Sequence, residues 1–92
     1  MGSGASVSET RNAVECILHD YGKLVFAFHG ERNFAVGAGD VTVLFYLEDN
    51  FCISILEDFR LGGTVYPRGV VSLEVFEGIC CGLSRALCER VD

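Results

Sequence analysis

The sequence predicts an α+β domain: an N-terminal helix, an antiparallel β-meander of four to five strands, and a C-terminal amphipathic helix packed on the sheet. Three observations predict it. Apolar residues recur at helical spacing near both ends of the chain and alternate with period two between them. Turn residues break the middle at short intervals, the signature of consecutive antiparallel strands. Finally, 92 residues, half of them apolar, match one small domain. The expected organisation is a flexible leader or tag over residues 1–8 and a single α+β domain over residues 9–92.

The leader "MGSGASVS" has no apolar period and the composition of a linker. It also fits M-G-x-x-x-[ST], which makes Gly2 a candidate for N-myristoylation with Ser6 as the accompanying hydroxyl. A single acyl chain would give only reversible membrane attachment. Ser8 is the expected N-cap of the first helix, with Glu9 in its opening turn. Across "ETRNAVECILHDYG", Val14, Ile17, Leu18 and Tyr21 form one apolar stripe, and Gly22 is the expected C-cap. "KLVFAFH" sets Leu24, Phe26 and Phe28 on one face and Val25, Ala27 and His29 on the other. After the turn "GERN" comes a return strand in "FAVG", then the turn "AGD", the strand "VTVLFYLE", the connection "DN" and the strand "FCISILE". Asp49 and Asn50 tolerate positive φ and suit a tight hairpin. A last short strand is expected in "GTVY", and Pro67 makes "YPRG" a turn. Ser72 then caps a helix through "LEVFEGICCGLSRALCERV". Its stripe is Leu73, Phe76, Cys80, Leu83 and Leu87, with Ile79 and Ala86 alongside.

The central strand carries apolar residues on both faces. Val41, Val43, Phe45 and Leu47 point one way, Leu44 and Tyr46 the other. A sheet with one solvated face alternates more cleanly, so the second face calls for a cover. Each large apolar side chain left in water forfeits about 1.5–3 kcal/mol. The cover is a helix opposite the first, or another protein chain. Mean hydropathy of +0.36 is high for a small soluble domain and favours the second chain.

Charge narrows the partners. Net charge is −6, and the seven Lys and Arg residues are scattered without a cluster, which argues against nucleic acid. Membrane contact is expected only if Gly2 is acylated. Five cysteines cannot all pair within one chain, and four lie among apolar residues. Free thiols in a reducing cytoplasm are the expectation.

Three cysteine arrangements bear on chemistry. Cys80 and Cys81 are neighbours on a helix and diverge by about 100°, so they cannot chelate one ion together. Cys80 belongs to the buried stripe. Cys16 and His19 have i,i+3 spacing, but a tetrahedral site needs two further ligands. A Cys81 nucleophile paired with His19 or His29 has no local signature. "GAG", Gly37–Gly39, joins two strands and does not open a helix, which excludes a phosphate loop. No catalytic residue, metal or cofactor is therefore expected.

Gly78 and Gly82 stand one turn apart with Cys81 between them in space. Each glycine costs a helix about 1 kcal/mol, and the pair clears a strip where a second backbone, or this chain's own sheet, can approach. "ERNF" with "LFYLEDNFCISIL" resembles the strand region of small dynein light chains over about a third of the chain. The hairpin spacing differs, a single helix replaces the leading pair, and a C-terminal helix is added, so no residue carries over. The small acidic α+β pattern also resembles dimeric type III secretion chaperones, without their internal helix. The functional expectation is a non-enzymatic protein-interaction module or adaptor, dimeric, using Leu44, Tyr46, Gly78, Cys81 and Gly82. The alternatives are a membrane-tethered adaptor, an acidic chaperone-like dimer and, last, a thiol or metal protein.

Overall fold

The computed structural model describes residues 4–90. Helix α1 (Val7–Asp20) leads into strands β1 (Val25–His29), β2 (Asn33–Ala38), β3 (Val41–Leu47) and β4 (Cys52–Ile55). A hairpin of β5 (Phe59–Leu61) and β6 (Thr64–Tyr66) follows, then β7 (Gly69–Ser72) and helix α2 (Leu73–Arg90). The five-stranded sheet has the order β1-β2-β3-β4-β7, antiparallel throughout, and β5-β6 form a separate two-stranded sheet. The α+β class, the antiparallel sheet and the helix packed on it are as the patterning requires.

The N-terminal cap lies two residues earlier than expected. Ser6 accepts the Glu9 amide and Glu9 returns a bond to the Ser6 backbone, a closed capping box. The box needs a carboxylate three residues after the hydroxyl, which Ser6 has and Ser8 lacks. Val7 and Ser8 accordingly belong to the first helical turn. At the other end Tyr21 is the C-cap, its N–H donating to the Leu18 carbonyl. Gly22 follows without entering the left-handed region.

The β5-β6 hairpin turns on Gly62 and Gly63, with φ of 58° and 86°, a pair of left-handed residues that glycine alone adopts at little cost. Phe59 and Tyr66 stack across it at 5.0 Å. Pro67 follows this hairpin, and the chain re-enters the main sheet as β7 beside β4. Ser72 ends β7 and caps α2, accepting the Val75 N–H at 3.3 Å.

Both helices pack on one face of the sheet. Phe34, Val36, Val43, Phe45, Leu47, Ile53 and Ile55 point from the strands into a core closed by Val14 and Leu18 of α1 and by Phe76, Ile79, Cys80 and Leu83 of α2. Phe76 meets Phe34 and Phe45 edge-on at 5.8 and 5.1 Å. On the α1 side His19 meets Phe26 edge-on, and the Arg11 guanidinium sits 4.0 Å over the Phe28 ring. Such ring contacts add about 0.5–1.5 kcal/mol each beyond burial. Helices on opposite faces would have covered the sheet twice; here the second face stays open.

Candidate functional site: the open face of the sheet

Strand register sets what the open face displays. Ala27 pairs with Ala35 and Ala35 with Leu44, giving an apolar row across β1, β2 and β3. The next row runs His29, Asn33, Tyr46, Ser54 and Val70. Val25, Gly37 and Thr42 form a third. Val25 is 71% exposed, Val70 64% and Leu44 39%. Tyr46 is half-buried, with the Arg32 guanidinium 5.7 Å over its ring. Glu48, just beyond β3, accepts the Ser54 hydroxyl at 2.7 Å.

Not one outward-facing residue of these five strands is Asp, Glu, Lys or Arg. The chain as a whole carries thirteen acidic and seven basic residues, and those among the described residues lie on the helices, the turns and connections and, for Arg60, on β5 of the separate hairpin. A solvated antiparallel face ordinarily places charge at alternate positions. The absence was legible in "VFAFH", "NFAVGA" and "VTVLFYL" taken together, but only the register assembles them into one surface.

The residues expected to form one interface lie on two layers. Leu44 and Tyr46 are neighbours on the open face. Gly78, Cys81 and Gly82 sit on α2, across the sheet from them. Gly78 is exposed, and a Cβ there would meet nothing within 4 Å. Gly82 differs: a Cβ would lie 2.8 Å from Leu61 Cδ2, so its flat surface receives this chain's own β5-β6 hairpin. A groove of about 330 Å³ continues from that contact, lined by Thr64, Tyr66, Arg85 and Glu89 among others. Gly2 lies outside the described residues.

All five cysteines are free thiols. Cys16 and Cys88 are exposed, and the Lys23 ammonium donates to Cys88 Sγ at 3.1 Å. Cys81 is half-buried beside Tyr21, whose hydroxyl is raised above its usual range first by desolvation and then by the charge of Cys81. Burial, then Glu77 and Cys81, push the Cys80 thiol up to about 12. At neutral pH it is a protonated core residue. Among the described residues no three His, Cys, Asp or Glu side chains gather to hold a metal ion. No helix of the described chain is long and apolar enough to cross a membrane.

Sequence reasoning missed two structural residues. Thr10 is fully buried, donates to the Ser6 carbonyl at 3.2 Å and accepts the Phe51 N–H at 3.1 Å. Phe51 has φ of 57° beside Asn50 at 62°, so the left-handed pair is Asn50-Phe51, one residue later than "DN" suggested. The signal for Phe51 is absent from sequence, because a bulky residue disfavours that region by about 1–2 kcal/mol. The bond to Thr10, 41 positions away, offsets the cost. Comparisons with family models, curated proteins and solved structures return no match. The likeness drawn from the strand region and the one drawn from the small acidic α+β pattern therefore supply no residue assignments.

Proposed function

We propose that this protein is a non-enzymatic interaction module that docks a protein partner on the open face of its sheet. The observation that carries this reading is the lack of Asp, Glu, Lys and Arg among the outward-facing strand residues of β1–β4 and β7, with charge confined to the flanking Arg32 over Tyr46 and Glu48 on Ser54. The buried centre of a protein interface is depleted in charged residues and keeps aromatic ones, as Tyr46 with Leu44, Val25 and Val70 would be. Water is a poor neighbour for such a face, at about 25 cal/mol per Å² of apolar area. Five free thiols suit a reducing, cytoplasmic setting.

A photo-crosslinking residue in place of Leu44, compared with one in place of the exposed Glu74 on α2, tests the reading in cells. The expected result is a discrete protein adduct from the Leu44 position and none from the Glu74 position. Irradiation that yields no protein adduct at Leu44, with the fold intact, defeats it.

A further inference from the structure

Phe51 occupies a place that its own turn disfavours. Asn50 and Phe51 both have positive φ, 62° and 57°, and across them the Cys52 N–H donates to the Asp49 carbonyl at 3.3 Å. This is a type I′ hairpin turn, whose two central positions favour Asn and then glycine. Asn50 conforms and Phe51 does not. Among the described residues, every position of positive φ besides these two is glycine, so Phe51 is the one bulky side chain placed there.

The start of the chain holds the turn in that shape. The Phe51 N–H donates to the buried Thr10 hydroxyl at 3.1 Å, and the Asn50 N–H to the Ala5 carbonyl at 2.9 Å. A Cβ on Gly4 would collide with the Asn50 side chain, so this segment lies close against the turn. From Asn50 and Phe51 these bonds take backbone atoms alone. They would hold glycine at position 51 equally well, and none of them requires the ring. The ring is 42% exposed and belongs neither to the core nor to the half-buried residues packed on it.

We infer that Phe51 is an anchor, which the β3–β4 turn presents to a protein partner carrying an apolar pocket with a basic rim. The inference rests on the interaction-module reading but not on the open face. Backbone strain of this kind collects where a side chain must be presented in a fixed way. Aromatic anchors seated in partner pockets dominate interface energies, and a ring whose backbone is already fixed loses less freedom on binding. Charge indicates the rim. Asp49 is exposed in the same turn, and the chain carries a net charge of −6, so a partner with Lys or Arg around its pocket is complementary.

The photo-reactive analogue p-benzoylphenylalanine in place of Phe51 keeps an aromatic ring and tests the contact in cells. Irradiation is expected to give a discrete adduct to an unlike protein, which is then purified and titrated with the full chain. Phe51→Asn, which suits the turn, is expected to bind it at least roughly tenfold more weakly and to melt within about 5 °C of wild type. Asp49→Lys is expected to bind several-fold more weakly, by a margin that shrinks as salt rises. A fall in Tm of more than about 10 °C in Phe51→Asn makes the ring a support of the fold and overturns the inference. So does an unchanged affinity, the absence of an adduct, or an adduct to a second copy of this chain. An affinity indifferent to Asp49→Lys overturns the basic rim. An adduct from the Leu44 position with none from Phe51 leaves the open-face reading standing and ends this one; the reverse moves the contact from the sheet to the turn.

Discussion

Replacing Thr10 by valine keeps the shape of the side chain and removes one oxygen. That oxygen is fully buried and joins two elements distant in sequence, donating to the carbonyl of Ser6, the N-cap of α1, and accepting the amide of Phe51 in the β3–β4 turn. The Ser6 carbonyl keeps its bond from the Thr10 amide at 3.0 Å, so its loss is small. The Phe51 amide has no such reserve. Leaving a buried donor unpaired costs about 1–3 kcal/mol, and the partly buried setting of this one places the expected loss near 1.5 kcal/mol. The left-handed conformation of Phe51, itself unfavourable, makes the turn the first place to open. For a domain of this size that loss lowers Tm by roughly 8 °C. Thr10→Ser, which keeps the oxygen and drops a methyl, isolates the packing share at about 0.8 kcal/mol. Urea unfolding of the three proteins, fitted with a common slope, reads the difference. Should Thr10→Val prove as stable as wild type while Thr10→Ser is not, the hydroxyl bridge is not what holds α1 to the turn.

The two α2 glycines are expected to respond differently to alanine. Gly78→Ala, in open space, should stabilise by about 1 kcal/mol. Gly82→Ala must displace Leu61 and should fall short of that gain; equal gains in thermal melts would refute the hairpin contact. Cys80 makes stability fall at alkaline pH. Its thiol ionises at about 12 in the folded chain against 9.0 for an ordinary cysteine, so the folded state holds the proton longer. The stability this provides is complete below pH 9 and is lost as pH rises towards 12, at roughly 1.4 kcal/mol per pH unit. Cys80→Ala should start less stable and decline more shallowly between pH 8 and 11, with Tyr21 unchanged in both proteins; parallel curves would remove Cys80 as the cause.

Much of the fold was legible because it is written in local chemistry. The stripe of α2, the inward set Phe34, Val36, Val43, Phe45 and Leu47, and the cap at Ser72 each follow from spacing or side-chain type alone. Other features carried a signal that was passed over. Gly62-Gly63 between "FRL" and "TVY" is a standard hairpin turn, yet three-residue strands are too short for alternation to register. Ser6 with Glu9 spells a capping box within a stretch that otherwise reads as linker. Phe51 carried no signal, since its backbone is held by a residue of another element.

For the open face the division is sharper. Sequence alone determined that Leu44 and Tyr46 oppose Val43, Phe45 and Leu47, because side chains alternate along a strand. It equally determined which stripe each helix buries. Which side of the sheet receives those stripes is a property of neither element. An amphipathic helix satisfies its apolar face against either side of a sheet that is apolar on both. Tertiary packing decided it: Phe76 among Phe34 and Phe45, and Arg11 and His19 over Phe28 and Phe26, draw both helices to the aromatic side. The flatter side, with Ala27, Ala35 and Gly37, offers a helix far less area to bury, and neither helix packs on it.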